Sequence, residues 1–339
     1  MPTEAPLLAV ENLSVSFRTQ DGLVRAVDRV SFQVGSGEIV GLVGESGSGK
    51  SQTLLSIMGL INNPNAELSG SIRFMGQELV GLRRRDLDAI RGRQIAMVFQ
   101  DPMTAMTPVH TIGAQIVEQL RAHESLSRRA ARSRAAELLD AVGIPGAGRA
   151  VDRYPHQLSG GMRQRAVIAM ALSCNPVLLI ADEPTTALDV TVQAQILDLI
   201  GRLRLDFGSS VILVTHALGV VAEVADRVFV MYAGRIVEEG TKAELFTEPL
   251  HPYTWGLFAS IPPMEGARPD RLLAIPGAPP ALSALPPGCA FQPRCGYGQE
   301  ACRERPLLQG SGPHRAACVL PEDQRRAEAR RRFAAEVAE

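Results

Sequence analysis

IVGLVGESGSGKS, residues 39–51, joins a short apolar run to a glycine-rich loop. The run from Ile39 to Val43 carries no polar side chain, which is typical of a strand buried on both faces. Residues 44–51 match G-x-x-x-x-G-K-S, a pattern whose glycines let backbone N–H groups curl around phosphate oxygens. A helix is predicted from Lys50 to about Leu60, and its N-terminal end would attract the same anion. Strand, loop and helix in this order predict a phosphate-binding site.

The residues of this loop are predicted to contact the nucleotide. We expect Lys50 to reach the β- and γ-phosphates of ATP and Ser51 to ligate Mg²⁺. The full set of expected ATP-binding residues in the loop is Gly44, Glu45, Ser46, Gly47, Ser48, Gly49, Lys50, Ser51 and Gln52.

A second apolar run, residues 177–181, ends in Asp182 and Glu183. A carboxylate at the C-terminal tip of a buried parallel strand is expected beside the phosphate loop. We expect Asp182 to hold Mg²⁺ and Glu183 to polarise the water that attacks the γ-phosphate. The two motifs together favour a nucleotide hydrolase over a fold that only binds nucleotide.

The remaining periodicity indicates strands that alternate with helices, which implies a mostly parallel α/β sheet. Residues 7–17 and 24–34 alternate apolar and polar positions and predict a β-hairpin. A helical insertion is predicted at roughly residues 86–174. Further strands are expected at 95–99, 211–215, 227–232 and 235–239, with a helix at 192–205.

Composition narrows the class of protein. The 339 residues carry a formal net charge of −1, which argues against a dedicated nucleic-acid binder. The N-terminus lacks a secretory pattern, and no apolar run approaches the ~18 residues needed to cross a bilayer. We therefore expect a cytoplasmic location, where thiols stay reduced.

The segment LSGGMRQR, residues 158–165, lies between the two nucleotide motifs. The three motifs together resemble the ATP-binding-cassette (ABC) ATPases over roughly residues 7–260. The resemblance implies an α/β P-loop NTPase core with an antiparallel β subdomain and a helical insertion. It also implies that Ser159, Gly160 and Gly161 cover the ATP held by a partner subunit in a head-to-tail dimer.

Other positions match the family one at a time. By resemblance, Gln100 senses Mg²⁺ and the attacking water, Asp189 lies at the dimer contact, and His216 contacts the γ-phosphate. Phe17 lies where the family stacks an aromatic ring on adenine, although a core phenylalanine is an equally good interpretation. Ala217 stands where this subgroup usually carries aspartate, which leaves the positioning of the histidine loop open.

The segments 100–104 (QDPMT), 154–157 (YPHQ) and 251–254 (HPYT) resemble the branch of oligopeptide and dipeptide importers, with their nickel and glutathione relatives. This implies the ATPase subunit of a bacterial importer, peripheral on the cytoplasmic face of the inner membrane. The implied partners are a second similar ATPase, favouring a heterodimer, two transmembrane permease subunits and an extracytoplasmic substrate-binding protein. Alternatives are the same role for nickel chelates or glutathione, a soluble ABC ATPase that moves no solute, and a regulatory iron–sulfur protein.

Four cysteines lie near the C-terminus: Cys289, Cys295, Cys302 and Cys318. Their gaps of five, six and fifteen residues are wider than the C-x₂₋₄-C of typical zinc knuckles. Wider loops suit a [4Fe–4S] cluster, to which the resemblance also points. Zinc and no metal remain open. A fifth, Cys174, is predicted to be a small buried hydrophobe.

These observations divide the chain into expected parts. The ATPase domain is predicted at residues 1–260, with the helical subdomain of about 86–174 inserted. A proline-rich, four-cysteine C-terminal extension is expected at 261–320. A charged helical tail at 321–339 is predicted to be a solvated surface helix.

Overall fold

The computed structural model describes residues 5–20, 22–101, 105–185, 190–216, 218–260, 275–310 and 312–333. The chain forms two compact units. The first unit comprises residues 1–7, 34–39 and 81–214, and the second comprises 8–33, 40–80 and 215–339. Elements are numbered below in chain order.

The second unit contains an antiparallel sheet in the order β2-β1-β4-β5. Its strands are β1 (Leu8–Thr19), β2 (Gly22–Val34), β4 (Ala66–Phe74) and β5 (Gln77–Glu78). The predicted hairpin is thus present as β1 and β2. The sequence did not reveal β4, because only Ile72 and Phe74 of its nine residues are buried and the apolar alternation is weak.

A second group of strands in this unit carries the glycine-rich loop. β3 (Ile39–Val43) is buried at every residue and pairs in parallel with β9 (Arg227–Tyr232). β9 pairs antiparallel with β10 (Arg235–Thr241), and β10 with β11 (Arg315–Ala316). The helices of the unit are α1 (Lys50–Ile57), α8 (Leu218–Val224), α9 (Lys242–Thr247), α10 (Pro252–Ala259) and α11 (Glu322–Phe333).

In the part of the first unit that the structure describes, three parallel strands, β6 (Ile95–Val98), β7 (Leu178–Asp182) and β8 (Ser210–Thr215), lie in the order β6-β7-β8. Its helices are α2 (Arg84–Ile90), α3 (Ile112–His123), α4 (Arg128–Ala141), α5 (Ala147–Ala150), α6 (Gly160–Leu172) and α7 (Val190–Phe207). The parallel strands and intervening helices confirm the predicted α/β class.

Helix α11 corrects one expectation. It was predicted to be a solvated surface helix, but Ala329 and Phe333 are 0% and 9% exposed. They pack with Trp255 and Leu320 in one hydrophobic cluster. Charged residues cover the rest of the helix, for example Arg330, whose Nε donates to Glu248 at 2.6 Å. The charged composition therefore concealed a narrow apolar stripe.

Among the described residues, every helix is too short or too polar to cross a membrane.

Candidate functional site

The loop between β3 and α1 contains two glycines that combine a positive φ with close backbone packing. Gly44 and Gly49 have φ angles of 150° and 104°, where other residues are strained. A Cβ added at Gly44 would lie 2.2 Å from the carbonyl oxygen of Met231, and one at Gly49 would lie 2.5 Å from that of Ala26. The two glycines therefore allow the loop to pack against neighbouring backbone while it curves.

Lys50, the first residue of α1, is only 5% exposed. Its Nζ donates to the carbonyl oxygens of Gly44 (2.7 Å) and Glu45 (2.9 Å) and lies 3.4 Å from Ser48 Oγ. The ammonium is thus held at the loop, close to the positive end of α1. Both features favour a bound anion at this point.

The other predicted loop residues divide by exposure. Ser48 is buried, and Glu45 and Gln52 are half-buried. Ser46, Gly47 and Ser51 are exposed, so their polar atoms are accessible to a ligand.

The first unit places two predicted catalytic side chains in contact. Asp182 is buried at the end of β7, and Glu183 follows it. Gln100 Nε2 donates to Glu183 Oε2 at 3.0 Å. Glu183 has a φ of 48°, a left-handed conformation that is uncommon outside glycine and occurs often at functional sites. Its backbone N–H donates to the carbonyl oxygen of Val214 at 2.9 Å, which holds this conformation.

The predicted signature residues form the start of α6, also in the first unit. Ser159 is the N-cap, and its side chain accepts from the backbone N–H of Met162 at 3.3 Å. Ser159 and Gly160 are exposed, and Gly161 is half-buried. An added Cβ at Gly161 would lie 2.7 Å from a methyl carbon of Val192, so this position favours glycine. The helix end therefore presents a hydroxyl and backbone N–H groups outward.

The remaining predicted residues are Phe17, His216 and Asp189, together with Ala217. Phe17, near the end of β1, is half-buried, and His216, directly after β8, is exposed. Asp189 and Ala217 lie outside the described residues.

Tyr253, in the segment HPYT, was not assigned a role from the sequence, yet it contacts the loop. Its hydroxyl accepts from the backbone N–H of Glu45 at 2.8 Å. Its ring packs against Tyr232 and Phe291, with centroids 4.6 and 5.4 Å away. Burial raises the pKa of the Tyr253 hydroxyl, which therefore stays neutral.

The four C-terminal cysteines line one small pocket, which is otherwise lined largely by apolar side chains. Burial raises the pKa of the Cys295 thiol to about 11, and it also raises the pKa of Cys289 and Cys318. Within the described ranges, no three cysteine, histidine or carboxylate side chains form a metal-binding group. The predicted [4Fe–4S] site is therefore not established. Cys174, expected to be buried, is half-buried.

Residues 27–186 match the family model described as ABC transporter. Residues 237–302 match the model described as oligopeptide/dipeptide transporter, C-terminal region. That second segment begins in β10 and includes three of the four C-terminal cysteines.

Relatives that align with most of the chain are oligopeptide transport ATP-binding proteins. The oligopeptide transport ATP-binding protein OppD of Haemophilus influenzae is 51% identical over 303 residues, which cover 89% of this chain and 93% of the relative. OppD of Salmonella typhimurium is 49% identical over 327 residues, or 94% and 96% of the two chains. OppD of Bacillus subtilis is 52% identical over 311 residues, or 91% and 87%.

Solved structures agree on the fold. The ATP-binding cassette MJ0796, dimeric in a post-hydrolysis state with ADP and phosphate, matches with a TM-score of 0.63 and 29% identity. The match covers 69% of this chain and 98% of that one. The cbiO1 protein from Clostridium perfringens, part of the transporter complex cbiONQ, gives 0.61 and 28% over 72% and 92% of the two chains.

The chain therefore belongs to the ABC transporter family and is an ATP-hydrolysing subunit. Within that family it groups with the peptide-import ATP-binding proteins.

Proposed function

We propose that this chain is the ATPase subunit that drives uptake of dipeptides or oligopeptides by a bacterial ABC importer. One observation carries the proposal: the likeness to oligopeptide transport proteins extends through both the nucleotide motifs and the C-terminal segment. The match to the ABC transporter model spans residues 27–186, and the match to the oligopeptide/dipeptide model adds residues 237–302.

The ATP site is proposed on the loop residues 44–52, with Phe17 stacking on adenine. Lys50 and the loop N–H groups neutralise phosphate charge as the γ-phosphoryl group is transferred. Ser51, Asp182 and Gln100 are the proposed Mg²⁺ ligands. Magnesium prefers such oxygen ligands and would neutralise negative charge on the phosphates.

Glu183 and His216 are proposed to serve the attacking water. The hydrogen bond from Gln100 fixes the Glu183 carboxylate, and the left-handed backbone at this residue sets its direction. A carboxylate held in this way can accept a proton from water as the phosphorus is attacked.

A second protomer completes the proposed site. Ser159, Gly160 and Gly161 would cap the partner's γ-phosphate through the start of α6, and Asp189 would lie at the dimer contact. The exposed helix end supports this role, since it has the N–H groups and hydroxyl that an anion needs. We propose a heterodimer with a second, similar ATPase.

ATPase subunits of this family act together with transmembrane permease subunits. We further propose two such subunits, docked near Gln100, and an extracytoplasmic protein that delivers substrate. Phe99, next to Gln100, is 41% exposed and supplies apolar surface for this contact. The location proposed is the cytoplasmic face of the inner membrane.

We propose the same domain boundaries that the sequence predicts. They are an ATPase domain at 1–260 with a helical subdomain at about 86–174, an extension at 261–320 and a tail at 321–339. The run of helices from α2 to α6 supports the inserted subdomain.

The catalytic assignment is tested with a Glu183→Gln variant. This variant should bind MgATP but lose turnover by at least about a hundredfold, since the water loses its proton acceptor. Glu118→Gln, an exposed substitution on α3, is the matched control and should keep the wild-type rate. Undiminished hydrolysis by Glu183→Gln would refute the assignment.

The substrate class is tested in proteoliposomes that contain the complete transporter. Di- and oligopeptides with the binding protein should stimulate ATP hydrolysis. Stimulation by nickel chelates or glutathione instead of peptides would overturn the peptide assignment and keep the importer assignment.

A [4Fe–4S] cluster bound by Cys289, Cys295, Cys302 and Cys318 is also proposed. The proposal is supported by the position of all four cysteines, which are the residue type that holds such a cluster, along one pocket. Arg325 supplies a second observation: it is 4% exposed, and among the described residues its Nε and Nη1 have no hydrogen-bond partner. Its charge acts on Cys318, so an anionic group at the thiols would compensate it.

When bound, the cluster would join the four cysteines and so cross-link the extension. Iron and acid-labile sulfide should co-purify with the full chain, and Cys295→Ser should lose them. Cys174→Ser, in the first unit, should retain both and serves as the control. Stoichiometric zinc, or no metal in anaerobic preparations, would refute the cluster.

A further inference from the structure

Arg294 connects the cysteine segment to the phosphate loop. It ends a short 3₁₀ turn, Gln292–Arg294, and Cys295 follows it directly. Its side chain is only 5% exposed. A buried guanidinium requires hydrogen-bond acceptors in several directions.

The main partner is Glu45, the second residue of the glycine-rich loop. Arg294 Nη1 donates to Glu45 Oε2 at 2.6 Å, and Nη2 donates to Oε1 at 3.0 Å. This is a bidentate arrangement, in which two parallel charge-assisted bonds fix both position and orientation. Nε donates to the carbonyl oxygen of Pro276 at 2.9 Å, and Nη1 lies 3.3 Å from the hydroxyl of Tyr232.

Glu45 is therefore held by the extension at its side chain and by Tyr253 at its backbone N–H. Its carbonyl oxygen accepts from Lys50 Nζ at 2.9 Å. One loop residue thus joins the lysine expected to bind phosphate to two residues from beyond position 250. Displacement of the Glu45 backbone would move an acceptor of that lysine.

A second ion pair of the extension gives a comparison. Arg305 Nη1 donates to Asp28 Oδ2 at 2.7 Å, again joining the extension to the body of the second unit. Asp28 also has ion pairs with Arg25, Arg29 and Arg235, and it is not part of the loop. Loss of Arg305 would weaken the attachment of the extension to the body of the second unit. The hydrogen bonds of Glu45 would remain.

We propose that Arg294 is a positioning residue of the ATP site, which holds the phosphate loop in its nucleotide-binding conformation through Glu45. The extension is therefore part of the nucleotide site. By thermodynamic reciprocity, ATP bound at the loop also orders the segment around Arg294. The inference rests on the proposed assignment of the ATP site to this loop.

The first experiment measures the affinity of the full chain for MgATP by calorimetry. Arg294→Gln should weaken binding about tenfold or more, because a desolvated bidentate pair is lost at the loop. Arg305→Gln should stay within about twofold of wild type. Glu45→Gln should weaken binding too, and the double variant with Arg294→Gln should be no weaker than the worse single variant, since both remove one interaction.

The second experiment uses hydrogen–deuterium exchange of peptides from residues 286–306. ATP should slow exchange there in the wild type and in Arg305→Gln, but not in Arg294→Gln. A merely structural role for Arg294 would leave the ATP effect in place. If Arg294→Gln does not fold, Arg294→Lys, which keeps the charge and loses the second hydrogen bond, makes the same prediction.

The Lys50→Ala variant tests the proposed ATP site separately from the role of Arg294. If this variant binds ATP like the wild type, the proposed ATP site is wrong. If Lys50→Ala abolishes binding while folded Arg294→Gln binds within twofold of wild type, the role of Arg294 alone is refuted. Equal weakening by Arg305→Gln would refute it too, because general docking would then explain the effect.

Discussion

Replacing Glu238 by alanine should destabilise the second unit by about 4 kcal/mol. Its carboxylate, 0% exposed in β10, accepts from the backbone N–H groups of Leu250 (2.5 Å) and His251 (2.9 Å). It also contacts Nε2 of buried His314 at 2.9 Å. A carboxylate can only accept, so this nitrogen carries the hydrogen.

The magnitude follows from the donors left behind. Each buried donor without an acceptor costs about 1–3 kcal/mol, and Glu238→Ala leaves three. Water entering the space left by the side chain recovers part of this cost. The neighbouring Glu239 is the matched control, because its partner Arg315 is 46% exposed and can return to solvent. Glu239→Ala should therefore cost about 1 kcal/mol or less.

The assay is urea unfolding followed by the fluorescence of Trp255, which is the single tryptophan of the chain. It is 2% exposed and lies in α10, next to the turn that Glu238 holds. Glu238→Gln keeps one acceptor oxygen. Its loss in the free energy of unfolding should lie between the losses for Glu238→Ala and Glu239→Ala. If Glu238→Ala loses no more stability than Glu239→Ala, the three buried donors do not depend on Glu238 for their stability.

Three further predictions concern the same unit. Burial lowers the pKa of His251 from 6.5 to about 4, so the neutral ring contributes stability that is complete above pH 6.5 and lost as pH falls toward 4. His251→Asn, which keeps the helix-capping acceptor, should lose less stability than wild type between pH 7 and 5 when Trp255 fluorescence is followed. Gly49→Ala should abolish measurable ATP binding, since its φ of 104° and tight packing exclude a side chain. Phe333→Ala should cost about 2–3 kcal/mol in unfolding experiments, whereas Arg331→Ala, on the solvent side of α11, should cost under about 1 kcal/mol.

Local patterns predicted much of the fold. The buried strands β3, β7 and β8 were visible because each is a continuous apolar run bounded by polar residues or glycine. The loop was visible for a similar reason, since glycine, lysine and serine act there through spacing within eight residues. Such signals depend on neighbours in the chain, which a sequence displays directly.

Contacts between distant residues could not be predicted in this way. Arg294 and Glu45 are separated by 249 positions, and nothing near either residue indicates the other. The left-handed backbone of Glu183 is likewise imposed by tertiary packing. In α11 the buried positions Arg325, Ala329 and Phe333 recur every four residues, but an arginine at the first position hides the stripe.

The short strand β11 has a consequence for how the protein behaves in solution. It covers β10 at Glu238 and Glu239, and the backbone N–H of Ala317 donates to the carbonyl oxygen of Val237 at 2.7 Å. An uncovered strand offers its backbone groups to foreign chains and promotes intermolecular sheet growth. The extension thus shields this strand, and a fragment ending before residue 315 should self-associate more readily than the intact polypeptide.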